Sequence, residues 1–83
     1  MFTAEFSKYF QKQYKKLIKN NKILEVRIDT ALTKLLQDPE IVSHKVGEYW
    51  SCRVTGDIRI IWEYQDDELV LILLKIGGHG EVY

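Results

Sequence analysis

The first stretch of the chain places apolar and polar residues with the repeat of an α-helix. Phe6, Phe10, Tyr14 and Leu17 recur at intervals of three or four residues, with lysines between them. Side chains at this spacing lie on one face of a helix, and the lysines then lie on the other. The pattern predicts an amphipathic helix that begins near Phe6, after a short edge strand over residues 1–5.

A second helical repeat follows the polar pair Asn20-Asn21. Its apolar positions are Leu24, Ile28, Ala31, Leu32 and Leu35. Proline disfavours helical structure in the residue before it, so Pro39 ends this helix near Asp38. Two helices joined by a short polar turn predict a helical hairpin.

Beyond a loop predicted from Pro39 to Glu48, apolar residues recur at every second position, as they do in β-strands. Two such runs are separated by Thr55-Gly56-Asp57, which predicts a hairpin turn; their inward residues are Trp50, Cys52, Val54, Ile58, Ile60 and Trp62. The later segment LVLILLKI is apolar at nearly every position. A strand of this kind is usually central in its sheet, with both faces at least partly covered.

The predicted order of elements is therefore β-α-α-β-β-β. It indicates an α+β domain in which the helical hairpin packs on one face of a mostly antiparallel four-stranded sheet. A chain of 83 residues builds one core, so residues 1–83 are interpreted as a single domain. Successive residues of a strand point to opposite faces of the sheet. Arg53 and Arg59 should therefore project from the face away from the helices, if the turn keeps both strands in phase.

The composition excludes several classes of protein. The single cysteine, Cys52, rules out an internal disulfide, and its phase with Trp50 predicts a core residue rather than a nucleophile. His44, Cys52 and His79 lack the local spacing of a structural zinc site. No apolar run approaches the roughly 18 residues of a membrane span, and the lysines near the start follow the apolar residues, unlike a secretory signal. We expect a cytoplasmic protein without metal, cofactor or membrane partner.

The net charge is zero, but its distribution is uneven. Residues 1–34 carry eight basic and three acidic residues, whereas residues 35–83 carry four basic and nine acidic ones. The first helix has a stripe of lysines with no intervening acid: Lys8, Lys12, Lys15, Lys16 and Lys19. A solvated helix face explains such a stripe, but the missing Glu–Lys pairs favour a polyanionic partner such as RNA.

Two arginines and a glycine-flanked histidine are the first candidates for chemistry. Arg53 and Arg59 present donors suited to phosphate, although salt bridges to Glu63 or Glu48 would also account for them. His79 follows the most apolar strand within the sequence GGHG, and histidine suits proton transfer near neutral pH. The alternative is a flexible tail with an inert histidine.

The predicted loop before the sheet contains three further polar candidates. Glu40 follows Pro39, and His44 and Lys45 come shortly after it. A loop at the rim of a sheet can supply a general base, but a solvated position is the simpler reading of each residue taken singly.

Taken together, these features resemble the RelE/ParE superfamily of bacterial type II toxins over essentially the whole chain. The most specific part is W-S-x-R-V-x-x-x-x-R-I-I-aromatic, from Trp50 to Trp62, followed by H-x-x-x-aromatic, from His79 to Tyr83. The RNA-cleaving branch of this superfamily cuts mRNA in the A site of the 30S ribosomal subunit, without a metal or cofactor. A cognate antitoxin holds these enzymes inactive.

The resemblance implies a role for each matching residue. Arg59 would stabilise the phosphate, Arg53 would support it, His79 would act as general acid, and Tyr83 would stack on or orient the nucleotide. The general base would be either Glu40 or His44. The residues implied for RNA binding are Lys8, Lys12, Lys15, Lys16, Lys19, Lys45 and Lys75.

The chain departs from RelE in its first long strand. RelE uses lysines there, where this chain has Tyr49 and Ser51. The resemblance is therefore closer to the YafQ and YoeB type, which use histidine and carboxylate chemistry. Two alternatives stay open: a ParE-like inhibitor of DNA gyrase with the same fold, and a catalytically degenerate domain that binds an antitoxin.

Overall fold

The computed structural model describes residues 2–65 and 69–78. This part of the chain forms two helices and five strands: β1 (Thr3–Phe6), α1 (Lys8–Ile18), α2 (Lys22–Gln37), β2 (Ser43–Val46), β3 (Tyr49–Arg53), β4 (Ile58–Tyr64) and β5 (Val70–Gly78). Neither helix in the described ranges has the length and apolar character needed to cross a membrane. The α+β class and the mostly antiparallel sheet are confirmed.

The sheet contains five strands in the order β1-β5-β4-β3-β2. Only β1 pairs in parallel, with β5, and the other three pairings are antiparallel. The strand β5 lies between β1 and β4, so it is an internal strand, as its apolar sequence predicted, although β4 is the middle strand of the five. The prediction of four strands was one short.

The additional strand is β2, which lies where a loop was predicted over residues 39–48. Residues Ser43–Val46 pair with β3 through a short turn at Gly47, whose φ of +61° lies in the left-handed region. A strand of four residues with only one large apolar side chain gives little periodic signal. His44 and Lys45 are therefore strand residues rather than loop residues.

Side-chain caps define where both helices begin. Ser7 accepts a hydrogen bond from the backbone N–H of Phe10 at 2.9 Å, and Asn21 accepts one from Leu24 at 3.1 Å. These caps satisfy amide groups that have no partner within the first turn. Asn20, at φ +56°, makes the turn between the helices, which confirms the predicted break at Asn20-Asn21.

The core lies between the helical hairpin and one face of the sheet. Its fully buried side chains include Phe10, Ile28, Leu35, Cys52, Ile60, Trp62, Leu71, Leu73 and Ile76. Trp50, Val54 and Ile58 pack against this cluster, so the predicted inward residues of the hairpin are confirmed. The indole N–H of Trp62 donates to Ser43 Oγ at 2.9 Å, which satisfies a polar group inside an apolar layer.

A β-bulge and helix α1 shape the far end of β5. On β4, Ile61 pairs with Lys75 of β5, but the next residue, Trp62, pairs with Leu73. Leu74 is therefore skipped in the pairing. The strand β1 pairs with β5 only as far as Leu73. Beyond that point, the Ser7 hydroxyl donates to the Leu74 carbonyl at 2.7 Å and Gln13 accepts from the Ile76 N–H at 3.1 Å. Helix α1 thus replaces a neighbouring strand along this edge.

Candidate functional site

The sheet face away from the helices carries the two arginines at directly opposed positions. Arg53 on β3 is the register partner of Arg59 on β4. Five residues, 54 to 58, separate them, so the odd spacing keeps both side chains on one face, as predicted. Arg53 is exposed and Arg59 is partly buried.

Both guanidinium groups donate to one backbone oxygen. The distance from Arg53 Nε to the Thr55 carbonyl oxygen is 3.3 Å, and the distance from Arg59 Nη1 to the same oxygen is 3.2 Å. The Thr55 hydroxyl oxygen in turn accepts from the N–H groups of Asp57 and Ile58 at 3.2 and 3.0 Å. The turn therefore positions both arginines through a single ordered peptide group.

No carboxylate of the described ranges pairs with either arginine. Within residues 2–65 and 69–78, the one salt bridge joins Lys22 to Glu25 on α2. The predicted alternative, a salt bridge from Arg53 or Arg59 to Glu63 or Glu48, does not occur. Like charges at opposed positions of two strands destabilise a sheet, so the pair is suited to an anionic ligand that neutralises both.

His44 lies on the same sheet face as the arginine pair. Its register partner is Ser51, which precedes Arg53 by two positions on β3. Residues diagonal to each other on adjacent strands have Cα atoms about 7–8 Å apart. The structure thus brings the exposed His44 near Arg53, on a strand where the sequence predicted a loop.

Glu40, the other candidate base, lies on the opposite side of the sheet. Its Oε2 accepts a hydrogen bond of 2.6 Å from the hydroxyl of Tyr64, which packs against the core under the helices. Burial, then the hydrogen bond and the negative charge of Glu40, raise the pKa of Tyr64 to about 12. The structure does not bring Glu40 to the arginine pair.

Lys45 and Cys52 also face away from the arginines. Lys45 is the register partner of Trp50, and its Nζ lies 5.1 Å from the centroid of the Trp50 ring, where a cation–π contact forms. Cys52 is buried and free, and its burial raises the pKa of the thiol. The prediction that Cys52 is a core residue is confirmed, and Lys45 does not join the arginine face.

Lys75 reaches the arginine face from β5, an internal strand of the sheet. It is exposed, and its register partner Ile61 follows Arg59 by two positions on β4. Since Gly77 is the partner of Arg59, no side chain on β5 covers Arg59 from that direction. Lys75, one of the residues implied for RNA binding, therefore lies on the arginine face, diagonal to Arg59.

A groove on this face, called the sheet groove below, has a volume of about 510 Å³. It is lined by Ser7, Tyr9, Val46, Tyr49, Ile61, Glu63, Leu74 and Lys75. The β-bulge at Leu74 brings two consecutive β5 residues to its wall. The sequence analysis did not single out Tyr9, and it named Glu63 only as a possible salt-bridge partner of the arginines.

The lysine stripe of α1 is exposed along its whole length, as predicted for Lys8, Lys12, Lys15, Lys16 and Lys19. Lys12 and Lys16 line a shallow pocket with Tyr9, which is shared with the sheet groove. Lys15 lies instead beside Asp29, in a second groove between the two helices. Part of the stripe is thus continuous with the sheet groove.

His79 and Tyr83, the predicted general acid and terminal aromatic, lie outside the described residues. The last described residue is Gly78, the register partner of Ile58 at the arginine end of β4. A Cβ atom placed at Gly78 would lie 3.2 Å from Asp57 Oδ2, so the backbone of β5 passes close to the hairpin turn. No group of three His, Cys, Asp or Glu side chains within 2–65 and 69–78 is arranged to hold a metal ion.

Comparisons with known proteins agree with this architecture. The metal-bound toxin from Helicobacter pylori shares 25% identity and a TM-score of 0.82, with all of both chains covered. A second H. pylori protein, known from its solution structure, shares 29% identity and a TM-score of 0.70 over all of both chains. The toxin-antitoxin complex RelBE of Escherichia coli matches at 16% identity and a TM-score of 0.78, over 94% of this chain and 96% of that one, which shows the fold alone.

The search of the curated proteins returned no match. The family model described as the ParE toxin of the type II toxin-antitoxin system, parDE, matches residues 4–83. Because this match spans nearly the whole sequence, the chain belongs to the ParE toxin family of type II toxin-antitoxin systems.

Proposed function

We propose that this toxin is an endoribonuclease that cleaves mRNA with side chains as its catalytic groups. The observation that supports the proposal is the opposed pair Arg53 and Arg59, which shares one carbonyl acceptor and has no carboxylate partner among the described residues. Such a pair suits a phosphate group that gains charge during reaction.

The reaction is an attack of the ribose 2′-OH on the adjacent phosphate. His44, on the arginine face, takes the proton of the 2′-OH, and Arg59, supported by Arg53, stabilises the charged phosphorane. His79 protonates the leaving 5′-oxygen, and Tyr83 orients the nucleotide. Of the two bases that the sequence left open, His44 is favoured because Glu40 is bound to Tyr64 on the other side of the sheet.

Two kinds of partner follow from this function. The E. coli relative RelBE is solved as a toxin-antitoxin complex, and by analogy a cognate antitoxin binds this toxin and holds it inactive. The substrate is mRNA in the A site of the 30S subunit, with the exposed lysines of α1 and Lys75 contacting nucleic acid phosphates. Lys45, on the opposite face, contributes less to this surface.

Purified protein and synthetic RNA test the proposal directly. Wild-type protein should cut an RNA, free or bound to ribosomes, and leave a 2′,3′-cyclic phosphate at the new end. Replacing the 2′-OH with hydrogen at the mapped cleavage site should block the cut. Failure of the wild-type protein to cut either form of the RNA would overturn the proposal.

The match to the ParE family model favours a second candidate, inhibition of DNA gyrase. A supercoiling assay with purified gyrase separates the two functions, because an endoribonuclease leaves supercoiling unchanged. A degenerate domain that only binds an antitoxin would show neither activity and would not inhibit growth.

A further inference from the structure

The sheet groove contains features that the cleavage reaction does not use. Two exposed tyrosines, Tyr9 and Tyr49, and the carboxylate of Glu63 all line it. We propose that this groove binds a guanine base of the RNA strand whose phosphate is held by the arginine pair. This inference rests on the proposed function, and it adds the base that the protein selects.

The tyrosines supply the surface on which a base can stack. Tyr9 is 49% exposed and Tyr49 is 43% exposed. Both rings lack ring contacts and hydrogen bonds within the described part of the chain, unlike Tyr64 and Tyr14. Proteins commonly hold unstacked bases of single-stranded RNA against aromatic side chains of this kind.

Glu63 supplies the hydrogen-bond acceptor. It is partly buried on β4, and no side chain or backbone group in ranges 2–65 and 69–78 donates to its carboxylate. A carboxylate repels phosphate, so it faces the base rather than the RNA backbone. It can accept two parallel hydrogen bonds from a planar group with two adjacent donors.

Guanine is the base that offers such a pair of donors. Its Watson–Crick edge presents N1–H and N2–H side by side, whereas adenine and cytosine present one amino group and uracil presents one N–H between two acceptors. Recognition of single-stranded RNA by hydrogen bonds to this edge is common. A carboxylate at the end of an aromatic groove therefore selects guanine over the other three bases.

The layout of charges fixes how the RNA would lie across the sheet face. Arg59 and Glu63 share one face of β4 and are four residues apart, or about 13 Å along the strand. Lys75 stands beside the intervening Ile61. Phosphate thus binds at the arginine end, and the guanine belongs to a neighbouring nucleotide at the Glu63 end.

Nucleotide titrations followed by NMR or calorimetry test this inference without requiring cleavage. Wild-type protein should bind GMP at least about fivefold more tightly than AMP, CMP or UMP, because a bidentate pair discriminates by about that factor or more. Glu63→Gln should remove this preference. The control Glu48→Gln, an exposed turn residue outside the groove, should retain it.

Inosine monophosphate provides a check that does not depend on a protein variant. It lacks the N2 amino group of guanine, so wild-type protein should bind it more weakly than GMP, and Glu63→Gln should bind both equally. Equal binding of all four nucleotides, or a guanine preference that survives in Glu63→Gln, would overturn the inference. RNA cleavage without guanine bias would also overturn the inference while leaving the proposed function intact. Selective GMP binding without RNA cleavage would instead overturn the proposed function and leave the guanine site intact.

Discussion

Arg53 and Arg59 lie directly opposite each other on neighbouring strands, and both donate to the carbonyl oxygen of Thr55. Two positive charges at opposed positions raise the free energy of the folded state. No carboxylate in the described ranges forms a salt bridge with either arginine. The arrangement is what a site for a phosphate group requires, since the ligand supplies the missing negative charge.

Removing one charge of this pair should separate stability from activity. Arg59→Met keeps the apolar length of the side chain but removes its charge. We expect the free energy of unfolding in urea to stay the same or rise by up to about 1 kcal/mol. Single-turnover RNA cleavage should fall by about 10²–10³-fold, the usual cost of losing one transition-state donor.

The matched control for that variant is Arg27→Met. Arg27 is an exposed arginine on α2, on the helical side of the sheet. It should leave cleavage unchanged. If Arg59→Met were strongly destabilised, or if it cleaved RNA at the wild-type rate, the role assigned to the arginine pair would be wrong.

The two candidate bases should respond differently to substitution. His44→Ala should lower the cleavage rate by about 10²-fold, the usual contribution of a general base. Glu40→Gln should leave the rate within about twofold of wild type and lower the free energy of unfolding by about 0.5–1 kcal/mol, because an exposed hydrogen bond to Tyr64 is weakened. Single-turnover kinetics and urea unfolding measure both effects. The reverse pattern would assign the base to Glu40.

The hydroxyl of Tyr64 should make stability depend on alkaline pH. Its pKa is raised to about 12 in the folded protein, from an ordinary value near 10. Between these values the unfolded state loses the proton and the folded state keeps it, so the free energy of unfolding falls as pH rises from about 10 to 12. Below about pH 10 this contribution is fully present.

Ultraviolet titration of the phenols checks this expectation. Tyr64→Phe should remove a phenol that ionises near pH 12 and reduce the loss of stability above pH 10. Glu40→Gln should shift that ionisation to lower pH, because it removes a negative charge beside the hydroxyl. An unchanged titration curve in Tyr64→Phe would show that the environment of this residue is misassigned.

Cys52 should behave as a buried thiol. Its side chain is 1% exposed and its pKa is raised by burial. Both effects disfavour the reactive thiolate. A disulfide reagent should therefore modify the folded protein much more slowly than the urea-unfolded protein, as followed by absorbance. Equal rates in the two states would contradict this placement.

The core and the arginine face could be predicted because both depend on local alternation. Trp50 and Cys52 point inward by their spacing, and Arg53 and Arg59 point outward by theirs. The strand Ser43–Val46 could not be predicted, since it is short and its pairing with β3 depends on the left-handed turn at Gly47.

Two features of the site depend on contacts between distant residues. Glu40 is held by Tyr64, 24 positions later in the chain, so its distance from the arginine pair has no local signal. The sheet groove depends on the β-bulge at Leu74, which breaks the alternation of β5 within a run of apolar residues. Periodicity alone cannot locate a bulge in such a run.

The central claim, that this toxin cleaves mRNA, is tested most directly by inducing the gene alone and mapping the 5′ ends of a reporter mRNA by primer extension. Wild-type protein should create new 5′ ends within the coding region as growth stops, and Arg59→Ala and His79→Ala should create none and allow growth. Growth arrest without new 5′ ends, accompanied by loss of DNA supercoiling, would contradict the claim and assign the toxin to gyrase.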